Sequence, residues 1–196
     1  MIEVQEQKHK LHLWDTTGRD NFRTITKAFI RGTACIFLVY DITSRDSFSH
    51  ISQWITDAKQ CCNPSALQVL IGNKLDLLTE RMVSSEEATE CAETNGLLYF
   101  ETSAISGENI ASAFEKSCST ILDRIRKGYL KVGQHNGVWL DRINDSCDKG
   151  MRSIPGQCEK SCPCCGCNTN QFYITICIII VVLFVIIFSC LYYFLK

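Results

Sequence analysis

Short apolar runs alternate with amphipathic stretches along residues 10–127 of the chain. His9–Asp15 alternates polar and apolar side chains, as a strand with one exposed face does. Ala34–Tyr40 and Leu67–Gly72 are continuously apolar, which is typical of central strands buried on both faces. Leu97–Glu101 is a fourth run of strand length. The pattern predicts an α/β domain in which helices cover a parallel sheet.

Three amphipathic helices are predicted between and after these strands. The first has its apolar face over residues 48–58, and the third runs over residues 110–125. Ser84 and Glu87 have the spacing of a capping box at the start of the second helix, and Gly96 follows where that helix should end. The helices therefore have boundaries that the sequence itself marks.

The apolar run Phe172–Leu195 contains 24 residues and no charged side chain. As a helix it would be roughly 36 Å long, enough to cross a hydrocarbon core of about 30 Å. A buried core helix of this length would show a polar face, and this run shows none. The sequence predicts one transmembrane helix at 172–195. Polar residues 131–171 form a predicted flexible linker, and no apolar signal segment precedes the domain, so insertion would follow translation.

Charge and cysteine content narrow the function classes. The chain has 20 Lys and Arg against 21 Asp and Glu, so it lacks the basic surplus of a nucleic-acid-binding protein. Among 13 Cys, those at 35, 91 and 118 lie in apolar segments and are predicted core thiols. Five others cluster beside the apolar run, with a spacing unlike the paired C-x2-C of zinc sites, so lipid attachment fits better. The cluster is Cys158, Cys162, Cys164, Cys165 and Cys167.

Polar residues follow three of the predicted strands, at the edge where open α/β sheets bind ligands. Asp15–Gly18 follows the first strand, Asn73–Asp76 follows the central one, and Thr102–Ala104 follows the last. A chance match to N-K-x-D alone would be unremarkable, but its place at a strand end with the other two segments in order makes the pattern specific. Each segment has a physical role at a guanine nucleotide.

Guanine presents two adjacent donors, N1–H and its exocyclic amine, which a carboxylate such as Asp76 accepts as a pair. Adenine lacks that pair and would leave the carboxylate unsatisfied. Asn73 would tie neighbouring loops together, the Lys74 stem would cover a face of the base, and the Ala104 N–H would donate to the guanine carbonyl. The second segment along the chain therefore predicts selectivity for guanine.

Two residues of the first segment suit the phosphate end of a nucleotide. Asp15 would hold Mg²⁺ through water, and Gly18 would let its N–H approach a terminal phosphate without steric cost. Taken singly, either is equally compatible with a plain turn. The predicted nucleotide-binding residues are Asp15, Gly18, Asn73, Lys74, Asp76, Ser103 and Ala104.

Four stretches carry a resemblance to a known family: KLHLWDTTGRDNFRTITKAFIRGT, LVYDITSRDSF, GNKLDL and ETSAISGEN. Over Ile2–Leu130 the chain resembles the Rab branch of the Ras-like small GTPases. The resemblance implies a three-layer α/β domain of the P-loop NTPase type that binds GTP or GDP with Mg²⁺. It also implies a switch in vesicle traffic that works with exchange factors, activating proteins and effectors. The implied location is the cytoplasmic face of endomembranes, at the endosome or Golgi. Trp14 and Phe29 fall where Rab proteins place effector-reading aromatics, with ordinary core packing as the alternative.

The phosphate-binding loop of the family is the first departure. No G-x4-G-K-[ST] segment precedes Asp15 in this sequence. Family members carry a first strand, a first helix and switch I in that region. We therefore expect residues 1–130 to form a GTPase domain that lacks its first strand and helix, with one sheet face and one strand edge uncovered.

The second departure is Arg19, at the position where the family has the Gln that orients the attacking water. An arginine donates hydrogen bonds but accepts none, so it cannot hold the water as Gln does. We expect the sequence as given to be inactive as a GTPase, because it lacks the phosphate-binding loop and has Arg19 in place of this Gln. Hydrolysis should be slow even in a complete domain, which would bias the switch toward its GTP state.

The third departure concerns membrane attachment. Cys165-Gly166-Cys167 resembles the prenylated C-x-C ending of Rab proteins, but 29 residues follow it here. The predicted span would then replace the lipid as anchor, with palmitoylation possible at Cys164, Cys165 and Cys167. The residue types of the tail are also those that AT-rich untranslated sequence would encode, which leaves an ordinary prenylated ending as the other interpretation.

Three hypotheses follow from the sequence. The first is a Rab-like GTPase that binds guanine nucleotide and regulates membrane traffic. The second is a nucleotide-independent, tail-anchored interaction module, because phosphate and magnesium contacts carry most of the binding in this family. The third makes the cysteine cluster the functional part, as a zinc site.

Overall fold

A computed structural model describes residues 1–17, 23–133, 137–140 and 172–180 of the 196-residue chain. The strands are β1 Ile2–Val4, β2 Gln7–Thr17, β3 Cys35–Asp41, β4 Leu67–Asn73, β5 Leu98–Thr102, β6 Val138–Leu140 and β7 Phe172–Ile180. The helices are α1 Arg23–Ile30, α2 Arg45–Ser49, α3 Ile51–Cys61, α4 Ser85–Asn95 and α5 Ile110–Arg126, with a 3₁₀ segment Leu75–Glu80 after β4.

The sheet has the order β1-β2-β7-β3-β4-β5. From β2 to β5 all neighbouring strands are parallel, whereas β1 runs antiparallel to β2 and β6 pairs antiparallel with the start of β7. The predicted α/β class and parallel sheet are confirmed. All four predicted strands are present, and β3 is buried at every position, as its continuous apolar run indicated.

Helices cover both faces of the sheet. Buried residues of α5 pack on one face, where the rings of Phe37 and Phe114 lie 4.9 Å apart. Residues of α1, α3 and α4 pack on the other face, where Trp54 is 2% exposed. Burial of such side chains stabilises the domain by about 1.5–3 kcal/mol each. The result is the three-layer arrangement that the family resemblance implied.

The ends of α4 form as the sequence predicts. The Ser84 hydroxyl accepts a hydrogen bond from the Glu87 N–H at 3.1 Å, which satisfies one of the free donors of the first turn. Gly96 ends the helix with φ +71°, a conformation that glycine adopts without Cβ strain. The Ser84 cap and the terminating glycine are therefore confirmed, whereas the Glu87 carboxylate accepts hydrogen bonds from Arg45.

The C-terminal apolar run differs from the prediction over the part that the structure describes. Phe172–Ile180 is the parallel strand β7, located between β2 and β3, and not the start of a helix. A short apolar run suits a buried strand as well as a helix, and the Ile-rich composition here favours the strand. No helix within the described ranges is long and apolar enough to span a membrane. Residues 181–195 lie outside those ranges.

Two further expectations change with β7. The sheet edge between β2 and β3, expected to be uncovered, is filled by β7 along both neighbours. The predicted linker 131–171 is interrupted by β6, which pairs with the first three residues of β7. Gly137, just before β6, lies against the backbone that leads into β3. Its φ is +69°, and a Cβ there would lie 2.3 Å from the Ala34 nitrogen, so only glycine fits.

Candidate functional site

The predicted nucleotide residues of the second and third segments lie together at the carboxyl edge of the sheet. Asp41, Asn73 and Thr102 are register partners at the ends of β3, β4 and β5. Parallel strands bring their carboxyl ends to one edge, so the loops that follow β4 and β5 become neighbours. The segments that the sequence separates by about 30 residues are thereby brought together in space.

Asn73 joins the two loops directly. Its side chain is 4% exposed, and its Oδ1 accepts hydrogen bonds from the Ala104 N–H at 3.2 Å and the Thr102 hydroxyl at 3.5 Å. This is the loop-tying contact that the sequence suggested. The Ala104 N–H, however, points to Asn73 here, so it would have to exchange this partner to donate to a guanine carbonyl.

Asp76 is exposed at the mouth of this edge. Its Oδ1 accepts a hydrogen bond from the buried Ser103 hydroxyl at 2.5 Å. The same hydroxyl accepts the Ser106 N–H at 3.1 Å, which holds Ser103 in place. Ser103 therefore orients the carboxylate that is predicted to read the guanine donors. We call Asn73, Asp76, Ser103 and Ala104 the guanine corner.

Lys74 adopts a conformation that is uncommon for a side chain other than glycine. Its φ is +72° and its ψ +38°, a left-handed geometry that costs about 1 kcal/mol. Its ammonium group forms an ion pair with Asp41 at 2.5 Å. The backbone turn places the Lys74 stem beside the guanine corner, and the ion pair fixes the end of the side chain.

The sequence interpretation missed Asp41. This carboxylate is 4% exposed and also accepts hydrogen bonds from the Thr43 N–H and hydroxyl at 2.8 and 2.7 Å. Burial alone would raise its pKa, but the bonds from Lys74 and Thr43 outweigh that effect and hold the pKa below the ordinary value. The sequence signal that could have identified Asp41 is an acidic residue directly after a fully apolar run.

The first segment is only partly described. Asp15 lies within β2, which continues to Thr17, so it does not follow the strand as predicted. Desolvation raises the pKa of its carboxyl group, a penalty that a bound cation would relieve. Gly18 and Arg19 lie outside the described residues. Among the described residues no three His, Cys, Asp or Glu side chains converge, and the Mg²⁺ contact of Asp15 stays a prediction.

Comparison with known proteins decides the family. The Ras family model matches residues 1–123. The chain belongs to the Ras family. It is 48% identical over 124 residues to Ras-related protein Rab-2B of Dictyostelium discoideum, an overlap of 63% of this chain and 61% of that protein. It is 38% identical over 165 residues to Ras-related protein Rab-4 of the same organism, covering 84% and 77%. These similarities place it in the Rab branch. The chain thus spans less than two thirds of the Rab-2B relative.

The two aromatic residues assigned to the effector surface of this Ras-family chain are exposed. Trp14 is 42% and Phe29 36% exposed, and their rings stack with centroids 4.8 Å apart. Ile25 of α1 is 55% exposed on the same helix as Phe29. The core-packing alternative is therefore wrong, and the effector-reading role stays a prediction.

A hydrogen-bond network around Glu101 supports the loop that carries Ser103 and Ala104 of the guanine corner. Glu101 accepts two hydrogen bonds from Arg81, at 2.7 and 2.8 Å, and further bonds from the Tyr99 and Ser85 hydroxyls. Its backbone carbonyl accepts the Asn109 side-chain amide at 2.9 Å. Because Glu101 lies two residues before Ser103, this network fixes the path of the chain into the site. The sequence did not predict this network, since its members are separated along the chain by other elements.

Replacing Glu101 with Ala should lower the free energy of unfolding by about 2–4 kcal/mol, because Arg81 would keep its charge in a partly buried place without this carboxylate. Urea unfolding followed by circular dichroism measures the change. Glu90→Ala, at an exposed position of α4, is the matched control and should change the stability by less than about 0.5 kcal/mol. A Glu101→Ala protein as stable as the control would show that the network contributes nothing.

Stability should also fall at acidic pH. The pKa values of Asp41 and Glu101 lie below their ordinary values of 3.8 and 4.5, because ion-pair and hydrogen-bond partners outweigh burial. A lowered folded-state pKa stabilises the fold above the unfolded value and loses that contribution as pH falls through the folded value. We expect these two carboxylates to contribute a decline in unfolding free energy below about pH 4. The Asp41→Asn protein should show a shallower decline, and an unchanged slope would contradict this assignment.

Proposed function

We propose that this Rab-branch chain binds GTP and GDP through the guanine corner and acts as a small GTPase in vesicle traffic. The observation that carries the proposal is the exposed Asp76 carboxylate, oriented by the buried Ser103 hydroxyl beside the buried Asn73. Asp76 would accept both guanine donors, and Lys74 would cover a face of the base. Asp15 would hold Mg²⁺ through water, and Gly18 would approach the terminal phosphate.

The partners follow from the same proposal. Exchange factors and activating proteins would act on the nucleotide state, and effectors would contact the exposed Trp14–Phe29 pair. The site of action would be the cytoplasmic face of endomembranes, at the endosome or Golgi. Anchoring would involve the C-terminal residues, through lipid at Cys164, Cys165 or Cys167, which lie outside the described residues, or through the predicted membrane span, of which only Phe172–Ile180 is described.

The residues that follow β7 limit the contacts that this chain can make to phosphate. β7 ends at Ile180, and residues 181–196 contain no glycine and a single lysine, Lys196. Such a sequence has none of the glycines that let backbone N–H groups cradle phosphates. The base therefore supplies a larger share of the proposed affinity here than in a GTPase with that loop.

Competition against a fluorescent GDP analogue on the purified full chain tests the proposal. GDP should displace the analogue at concentrations at least about 100-fold lower than ADP, because only guanine satisfies the Asp76 carboxylate. Guanosine should lose less affinity relative to GDP than it does in a GTPase with the phosphate-binding loop, since the base supplies a larger share of the affinity. Equal competition by ADP, or no binding at millimolar analogue, would reject guanine binding and leave the nucleotide-independent interaction module as the function.

Arg19 gives a kinetic prediction within the same proposal. In a protein extended upstream by the family's phosphate-binding loop, first helix and switch I, an Arg19→Gln variant should hydrolyse bound GTP at least about tenfold faster, because Gln can both accept from and donate to the attacking water. Single-turnover phosphate release with saturating GTP measures the rate. GTP affinity should be equal in both proteins, and equal rates would contradict the role given to Arg19.

A further inference from the structure

A cleft lies at the end of the sheet opposite the guanine corner. It is bordered by the starts of β4 and β5 and by the C-terminal ends of α3, α4 and α5, and its volume is about 350 Å³. Parallel strands start at one edge of a sheet and end at the other, so this cleft is separate from the predicted nucleotide site. Its size is that of a site for a small molecule. The lining residues that matter chemically are Lys59, Cys62, Gln68, Asn95 and Arg124, and we call the site the Gln68 cleft.

The side-chain amide of Gln68 is only half satisfied. Its Nε2 donates a weak hydrogen bond to the Cys62 sulfur at 3.7 Å. Its Oε1 is buried and accepts no hydrogen bond from any residue that the structure describes. A buried acceptor without a donor is costly, because it has lost its hydrogen bonds to water. A ligand with an O–H group in the cleft would supply the missing donor.

Two cationic side chains line the same cleft. The Lys59 ammonium group donates to the Asn95 side-chain oxygen at 3.0 Å, and the Arg124 guanidinium donates to the Ser65 carbonyl at 3.0 Å. Both partners are uncharged, and each contact uses one of several donors. Burial raises the pKa of the Cys62 thiol, so the thiol is neutral at pH 7. Among the described residues that line the cleft none is acidic, so it carries two positive charges without a lining counter-charge.

Helix geometry explains only part of this arrangement. Lys59 lies in the last turn of α3, where the helix dipole favours a cation. The dipole accounts neither for Arg124, which reaches the cleft from α5, nor for the unsatisfied oxygen of Gln68. Arg124 also lines a neighbouring cleft of about 550 Å³, but that cleft contains the carboxylate of Asp123. An anion is therefore better accommodated in the Gln68 cleft.

We propose that the Gln68 cleft binds a phosphate ester of a polyol, with the phosphate between Lys59 and Arg124 and a hydroxyl group donating to the Gln68 Oε1. A phosphate monoester carries close to two negative charges at pH 7, which matches the two cations. Phosphorylated inositol has this chemistry, either as a free molecule or as the head group of a lipid. The inference does not depend on nucleotide binding, since the two sites lie at opposite ends of the sheet.

Calorimetric titration of the full chain with inositol monophosphate tests the proposal. Inositol and inorganic phosphate should each bind at least about tenfold more weakly, because each satisfies only one half of the site. Lys59→Gln should weaken binding at least about fivefold. Gln68→Leu should weaken it about three- to tenfold with no loss of stability, because it removes the unsatisfied oxygen. Lys116→Gln is the matched control: it removes the same charge from an exposed position of α5 outside the cleft and should bind like the wild-type chain.

Three results would overturn the proposal: no saturable binding, equal weakening by Lys59→Gln and Lys116→Gln, or wild-type affinity in the folded Gln68→Leu chain. Co-sedimentation with phosphatidylcholine vesicles, with and without phosphatidylinositol phosphate, identifies the source of the ligand. Vesicle binding that requires the phosphorylated lipid and is lost in Lys59→Gln would identify a lipid head group. Binding of the soluble ester alone would identify a free phosphorylated polyol.

Discussion

An Ile174→Asp chain should lose most of its folding stability. Ile174 is completely buried beneath α5, so the substitution removes about 2–3 kcal/mol of apolar burial and adds the cost of placing a carboxylate in the core. We expect a loss of more than about 4 kcal/mol, comparable with the entire stability of many domains. Urea unfolding followed by circular dichroism provides the measurement.

Two variants control this experiment. Ile174→Val should cost only about 0.5–1.5 kcal/mol, because it removes one methylene from the same place. Ile105→Asp, at a position 71% exposed, should change stability by less than about 0.5 kcal/mol. An Ile174→Asp chain as stable as the Ile105→Asp chain would mean that β7 does not occupy the sheet in solution.

The largest effect on ligand binding is expected at Asp76. An Asp76→Ala chain should bind GDP about 100- to 1000-fold more weakly, because it loses a charge-assisted pair of hydrogen bonds to the base. Its preference for GDP over ADP should disappear with it. Fluorescence titration with both nucleotide analogues measures the two quantities in one experiment.

Glu80→Ala is the matched control for Asp76, because Glu80 is an exposed carboxylate at the end of the same 3₁₀ segment. Its GDP affinity and GDP preference should equal those of the wild-type chain. If Asp76→Ala weakens GDP and ADP equally, the carboxylate does not read the base. In that case the proposed guanine corner would have to be assigned another role.

Local sequence signals predicted the parts of the fold that depend on local physics. The Ser84 cap, the Gly96 terminus and the buried run of β3 follow from residue types within a few positions of each other. The placement of N-K-x-D at the end of β4 likewise follows from the apolar run that directly precedes it. α1 was missed because its eight residues, Arg23–Ile30, form too short a pattern to stand out.

The parts that sequence could not predict depend on partners distant along the chain. Nothing within Phe172–Ile180 specifies that its neighbours are β2 and β3, so an apolar run was interpreted as a membrane helix. Asp41 gains its role only when the register places it beside Asn73 and within reach of Lys74. The Glu101 network likewise requires Arg81 and Ser85 to arrive from another part of the chain.

The predicted membrane span and the central strand of the sheet would use the same residues, Phe172–Ile180. With Phe172–Ile180 held in the sheet, the 15 residues of Val181–Leu195 would form a helix of only about 22 Å, shorter than a hydrocarbon core of about 30 Å. A span formed by the whole predicted run 172–195 would therefore require β7 to leave its place between β2 and β3. Lipid and sheet would then compete for Phe172–Ile180.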